Sequence, residues 1–185
     1  DGKKYILLPT AQDHKRLNDN DKGPNTGGMG AYSPAPLLTE DHIDSIVREI
    51  IEPTINELNK KNIDYRGVIY FGLMITKSGP KVIEYNCRFG DPECQTIMPL
   101  LDQNFVSLLE KCSMGKLTGE EKINTSDKVS GCVIATSKGY PQDYKTGFPI
   151  EIGKIDSTDC QIFDSGTCSN ENGELLTDGG RVLSI

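Results

Sequence analysis

The stretch that decides the fold runs from Gly67 to Gln95 and reads GVIYFGLMITKSGPKVIEYNCRFGDPECQ. Val68 to Thr76 is a β-rich apolar run, Lys77-Ser78-Gly79-Pro80 is a turn, and Lys81 to Tyr85 is the returning strand. Strand side chains alternate between faces. Glu84, Asn86 and Arg88 therefore share one face if extended geometry persists to Arg88, and Ile83, Tyr85 and Cys87 point the other way, into a core. At a rise of about 3.3 Å per residue, Glu84 and Asn86 lie roughly 6.6 Å apart at Cα, so their side chains can meet at one ion. A carboxylate and an amide oxygen are hard ligands, suited to Mg²⁺ that keeps its other bonds for water and phosphate. Arg88 would offer a planar fork to a phosphate oxygen. Asp91 and Pro92 then read as N-cap and first position of a helix whose N-terminus favours anions. The bland alternative is a solvated strand end.

The run EYNCRFGDPECQ, residues 84 to 95, resembles the signature of the phosphoribosylamine–glycine ligase family. Glu-x-Asn-x-Arg is similar to the metal-binding strand of the wider ATP-grasp superfamily, which includes biotin carboxylase. The longer run Arg88-Phe89-Gly90-Asp91-Pro92-Glu93 is much more specific to the glycine ligases.

Composition narrows the class. The chain has 185 residues and a formal net charge of −7, with no basic cluster that would mark a nucleic-acid face. Six cysteines form no Cys-x-x-Cys pair, and the histidines are His14 and His42, so a zinc site is disfavoured. Scattered cysteines without a signal peptide fit a reducing cytoplasm. No apolar run approaches the roughly 18 residues that span a membrane. Asp1-Gly2 reads as a hairpin turn leading into an apolar strand, Tyr5 to Leu8, and Arg181 to Ile185 ends inside a strand. The chain is therefore expected to be a piece of a longer polypeptide. The resemblance agrees. It covers this whole chain but only the later part of the family's chain, with an N-terminal domain and ATP lid before Asp1 and further C-terminal structure after Ile185.

Residues 11 to 33, AQDHKRLNDNDKGPNTGGMGAYS, are polar, Gly-rich and too long for an ordinary connection. Gly27, Gly28 and Gly30 permit close backbone approach to a ligand, and successive amides can form an anion nest. It is neither a Walker A loop nor a dinucleotide fingerprint. From glycine content alone, a flexible linker reads as well as a ligand loop. Gln12-Asp13-His14-Lys15-Arg16 and Gly23-Pro24-Asn25-Thr26-Gly27-Gly28-Met29-Gly30-Ala31-Tyr32 resemble the matching runs of the ligase family, which implies that they line the site for glycine and phosphoribosylamine.

Residues 40 to 60 carry apolar positions at helical steps, from Ile43 and Ile46 to Ile55 and Leu58. Thr39 is the expected N-cap, Pro53 is expected to kink or split the helix, and His42 reads as a surface residue. Helical pieces follow at Pro92 to Leu101 and around Phe105 to Cys112, with Gly115 as C-cap. Residues 116 to 127 read as a boundary. Strands are expected at Val129 to Thr136, Ile150 to Ile155, Gln161 to Phe163 and Val182 to Ile185, with a hairpin turn at Asn170 to Gly173. The expected class is α+β: an ATP-grasp half with an antiparallel sheet and covering helices over 1–115, a linker at 116–127, and part of a small β-rich C-terminal subdomain over 128–185.

No Ser–His–Asp or Cys–His constellation is evident, which leaves positioning and charge neutralisation, the requirements of phosphoryl transfer. The resemblance implies ATP-dependent ligation of glycine to 5-phosphoribosylamine through glycyl phosphate, in purine synthesis. It implies Mg²⁺ or Mn²⁺ on Glu84 and Asn86, and Arg88 on the transferred phosphoryl group. Asp13, Lys15, Asn25, Thr26, Gly27, Gly28, Met29, Gly30 and Asp91 would hold the small substrates, with Arg181, in a Gly-Gly-Arg turn, a candidate for substrate phosphate. Glu93 has a structural alternative as an acid in a first helical turn. The fragment alone is expected to be inactive. Some members carry this ligase within a larger purine-synthesis polypeptide. The rival readings are another ATP-grasp ligase and a non-catalytic domain of a multifunctional chain.

Overall fold

The computed structural model describes residues 1–101, 105–155 and 160–185. In chain order its strands are β1 (Gln12–Asp13), β2 (Arg16–Asn18), β3 (Lys22–Asn25), β4 (Gly30–Ser33), β5 (Tyr70–Thr76), β6 (Gly79–Asn86), β7 (Ser130–Thr136), β8 (Phe163–Asp164), β9 (Thr167–Ser169), β10 (Leu175–Thr177) and β11 (Arg181–Ser184). The helices are α1 (Glu40–Ile46), α2 (Glu52–Lys60), α3 (Glu93–Ile97) and α4 (Phe105–Ser113). A π-helical turn, Val47–Ile51, joins α1 to α2, and a 3-10 turn, Met98–Leu100, ends α3. The ladders between these strands are antiparallel, as expected of the α+β class.

The chain divides into two compact units. The first takes Asp1–Thr10, Pro34–Gly90 and Leu100–Lys128, and the second takes Ala11–Ser33, Asp91–Pro99 and Val129–Ile185. Ala11–Ser33 joins the later residues through the β4–β7 ladder, and Asp91–Pro99 through the packing of α3 on β4 and β7.

In the first unit, β5 and β6 form a two-stranded sheet, and α1 packs against β6. Thr39 caps α1: its hydroxyl accepts from the His42 amide at 3.3 Å, and the His42 ring accepts from the Thr39 amide. His42 is thus a capping residue. Pro53 has no N–H, and its ring would collide with the carbonyl four residues back. The chain meets this with the π turn just before it, in which the Glu52 amide donates to the Val47 carbonyl. Ile46, Ile50 and Ile51 are buried. Gly115, at φ +68, ends α4 with its amide on the Cys112 carbonyl.

Three expectations fail here. Tyr5 to Leu8 has no ladder, and Asp1 makes no hairpin; its carboxylate accepts from the Lys3 and Lys4 amides instead. Ile83 and Tyr85 do not enter a core, being 59% and 51% exposed. The register explains part of this: Gly72 faces Glu84 and Leu73 faces Val82, so Ile83 is the extra residue of a β-bulge. Thr54 and Tyr85 then line an open groove with Ile50, Pro53, Leu58 and Val82.

In the second unit, five strands run in the order β1-β4-β7-β11-β8. The β4–β7 ladder sets Gly30 to Ser33 against Val133 to Ser130. Gly30 is needed there, since a Cβ would lie 2.5 Å from the Cys132 carbonyl oxygen. Ala31, Ser33, Cys132, Ile134, Val182 and Leu183 form the buried centre, with α3 packed on β4 and β7. β9 and β10 make the hairpin expected at Asn170 to Gly173. Residues 150–155 are not a strand; Pro149 makes one isolated bridge to Leu176.

Candidate functional site

The hairpin presents the first group of candidates. Asn86 stands opposite Tyr70 and Glu84 opposite Gly72, so the carboxylate and the amide share one face. Gly72 makes room: a Cβ there would lie 2.8 Å from Glu84 Cγ and 3.4 Å from Glu84 Oε1. Both side chains are half-buried. A recessed pair of hard oxygen donors beside a glycine fits a divalent cation that completes its shell from water and phosphate. The strand ends at Asn86, and Arg88 lies beyond it with its Nη1 donating to the Phe89 carbonyl at 2.7 Å. Arg88 is therefore not held on the Glu84 face by strand alternation. It is exposed, and a guanidinium has five N–H donors in all.

The second unit gathers another group. Asp13 closes β1, and its neighbour His14 donates its amide to the Gly30 carbonyl at 2.9 Å. Burial pushes the Asp13 carboxyl up to about 6, the nearby Glu93 carboxylate pushes the same way, and Lys15 opposes. Glu93 is only 5% exposed. Asp13 Oδ1 is buried with no hydrogen-bond partner among the described residues. Gly28, at φ +118, sits where a Cβ would lie 2.8 Å from that oxygen and 2.5 Å from Pro92 Cδ. Glycine at 28 thus lets the turn lie close to both Asp13 and Pro92.

The glycine-rich run is ordered on protein partners. The Thr26 amide donates to the Lys15 carbonyl at 2.7 Å and the Met29 amide to the His14 carbonyl at 2.9 Å. The Gly27 amide donates to the Tyr140 hydroxyl at 2.8 Å, and the Gly28 amide to Thr26 Oγ1 at 3.0 Å. Four successive amides are thus engaged by protein acceptors, so they form no open nest. Asn25 ends β3, opposite Arg16, and Met29 also accepts from the Ile134 amide.

Asp91 is not the N-cap of α3, which starts at Glu93 with no side-chain cap. Its carboxylate accepts from Arg181 Nη2 at 2.7 Å and from Gln95 Nε2 at 3.0 Å. Arg181 Nη1 donates to the carbonyls of Asp91 and Gly27, each at 2.9 Å. Arg181 is therefore tied to Asp91 and the turn. Sequence reasoning missed Tyr140, and it set Glu93 aside. Tyr140 carries no local signal, because its partner Gly27 lies 113 residues away.

Comparison with known proteins places these groups in context. Residues 1–94 match the family model described as phosphoribosylglycinamide synthetase, ATP-grasp (A) domain, and residues 130–185 match its C domain. The chain is 46% identical over 186 residues to phosphoribosylamine–glycine ligase of Caulobacter vibrioides, covering 100% of this chain and 44% of that protein. It is 44% identical to the trifunctional purine biosynthetic protein adenosine-3 of Gallus gallus, covering 100% of this chain and 18% of that protein. It is similar to the crystal structure of phosphoribosylamine–glycine ligase from Thermotoga maritima, with a TM-score of 0.86 and 34% identity over 100% of this chain and 44% of that one. The chain thus spans less than half the length of these relatives.

Proposed function

This chain belongs to the phosphoribosylglycinamide synthetase family, and from that premise we propose that its full-length protein joins glycine to 5-phosphoribosylamine at the expense of ATP. In this reading the glycine carboxylate attacks the γ-phosphorus of ATP and ADP departs. The amine nitrogen of phosphoribosylamine then attacks the acyl carbon, the bond to phosphate breaks, and the amine gives up a proton. Glu84 and Asn86 would hold Mg²⁺ or Mn²⁺, which when bound neutralises charge on the ATP phosphates. Arg88 would steady the transferred phosphoryl group with the donors that the Phe89 carbonyl leaves over. Asp13 and Lys15, with the wall from Asn25 through Thr26, Gly27, Gly28 and Met29 to Gly30, would hold the small substrates, Asp13 offering its buried oxygen to an amino group. Asp91 and Arg181 would support that wall.

The observation that carries the reading is the ladder register, which sets Glu84 over Gly72 and Asn86 over Tyr70 on one face. The resemblance of RFGDPE to the glycine ligases supports glycine as the acid. No helix among the described residues is long and apolar enough to cross a membrane. We place the protein in the cytoplasm on its six free thiols. Single-function and trifunctional relatives both match the whole chain, so the site would serve in either setting.

The test is steady-state kinetics on the full-length protein. Glycine and phosphoribosylamine together should drive ADP release, and bicarbonate should not. ADP release driven by bicarbonate would transfer the assignment to a biotin-carboxylase-like ligase. No nucleotide turnover with any acid would favour a non-catalytic domain.

A further inference from the structure

We infer that Tyr140 and Arg181 are positioning residues: they clamp Gly27 from both sides and thereby set Asp13 against Pro92 and Glu93. The Gly27 peptide is held at both its polar groups, the amide by the Tyr140 hydroxyl at 2.8 Å and the carbonyl by Arg181 Nη1 at 2.9 Å. The same guanidinium grips Asp91 at its carbonyl and its carboxylate, at 2.9 and 2.7 Å. One rigid fork therefore ties the turn to the residue that precedes Pro92. The Arg181 side chain is 21% exposed; its bonds to Asp91 are part-buried, and its bond to the Gly27 carbonyl is exposed.

Tyr140 is fixed in its turn. Its amide donates to the Ser137 carbonyl, and Ser137 donates to the carbonyls of Gly179 and Gly180. Its ring lies directly against Gly180, where a Cβ would overlap it. Gly180 precedes Arg181, so the two arms of the clamp are built on one another. A Cβ at Gly27 would reach 3.1 Å from both the Arg181 guanidinium and the Tyr140 hydroxyl. The next residue, Gly28, is the one wedged between Asp13 Oδ1 and Pro92. With the amides of residues 26 to 29 engaged by the protein, the turn acts through what it places, and what it places is a buried acceptor oxygen that lacks a donor among the described residues.

The inference extends the proposed ligase reading, and its test separates the two. In the full-length protein, Tyr140→Phe removes one oxygen. Hydrogen exchange in peptides spanning 23–33 should accelerate at least about tenfold, because the Gly27 amide loses its acceptor. The Asp13 carboxyl, which faces Glu93, Lys15 and His14, should titrate closer to its ordinary value. The KM for glycine or phosphoribosylamine should rise about three- to tenfold, with the KM for ATP within about twofold and thermal stability nearly unchanged. Arg181→Lys keeps the charge but loses the fork. It should act in the same direction, and its combination with Tyr140→Phe should fall short of the product of the two. Unchanged exchange over 23–33, or an unmoved Asp13 titration, would overturn the clamp. So would an equal rise in the KM for ATP. If the wild type itself shows no glycine-dependent ADP release, the ligase reading fails, while exchange and titration still judge the clamp.

Discussion

The hairpin of the first unit and the glycine turn of the second assemble their chemistry by opposite routes. Glu84 and Asn86 are two residues apart, and strand alternation puts them on one face before any tertiary contact forms. Gly27, Asp91 and Arg181 meet only on folding, with Gly27 and Arg181 separated by 154 residues. The first group depends on few contacts, chiefly the strand register and the space that Gly72 leaves beside Glu84. The second depends on many contacts, and removing any one of them displaces it.

The largest expected effect tests the local site. Glu84→Ala in the full-length protein should cut turnover by about 100-fold or more at fixed Mg²⁺, since losing a group that merely orients a metal ligand already costs 10- to 100-fold. Steady-state rates across a Mg²⁺ series check this, and a near-normal rate with unchanged Mg²⁺ dependence would remove the assignment. Next comes the assembled site. Gly28→Val forces a β-branched residue into φ +118 and against Pro92 and Asp13. It should raise the KM for a small substrate roughly tenfold and cost about 1–3 kcal/mol of stability. A loss of stability alone would mean that the turn is only a linker.

Asp13→Asn sharpens the contrast through pH. The Asp13 carboxyl is raised from 3.8 to about 6, chiefly by burial and then by Glu93. A carboxyl raised on folding favours the protonated form, so its contribution to stability is fully present below 3.8 and lost as pH rises through about 6. The unliganded wild type should lose stability across that window by comparison with Asp13→Asn, as thermal melts at stepped pH would read. In the active enzyme, kcat/KM for the amine substrate should carry an acid limb near pH 6 that the variant lacks. The smallest effect is a control outside both groups. Thr39→Ala should cost about 1 kcal/mol by loss of the α1 cap and leave every KM unchanged, as denaturant melts beside kinetics would show.

What was legible in the sequence follows the same contrast. The β5–β6 turn, the Thr39 cap, the Gly115 cap and the Glu84–Asn86 face are signals carried within a few residues, and the fold has all of them. The disturbance expected at Pro53 is present too, as a π turn rather than a break. Residues 11–33 were illegible as strands because Gly30, Ala31 and Ser33 carry no β-branched or large apolar pattern. They become β4 through pairing with β7, about a hundred residues later. Ile150, Ile152 and Ile155 mislead in the opposite sense: they carry apolar spacing but find no ladder, and Ile152 is 48% exposed. Asp91 read as a cap because Asp-Pro commonly starts a helix, yet Arg181, distant in sequence, takes its carboxylate.

The most direct measurement is Mn²⁺ binding to the full-length protein in the presence of ADP, followed by water proton relaxation. Glu84→Gln and Asn86→Ala should each weaken Mn²⁺ by about tenfold or more while ADP binding without metal stays unchanged. Wild-type Mn²⁺ affinity in both variants would contradict the placement of the cation on the hairpin.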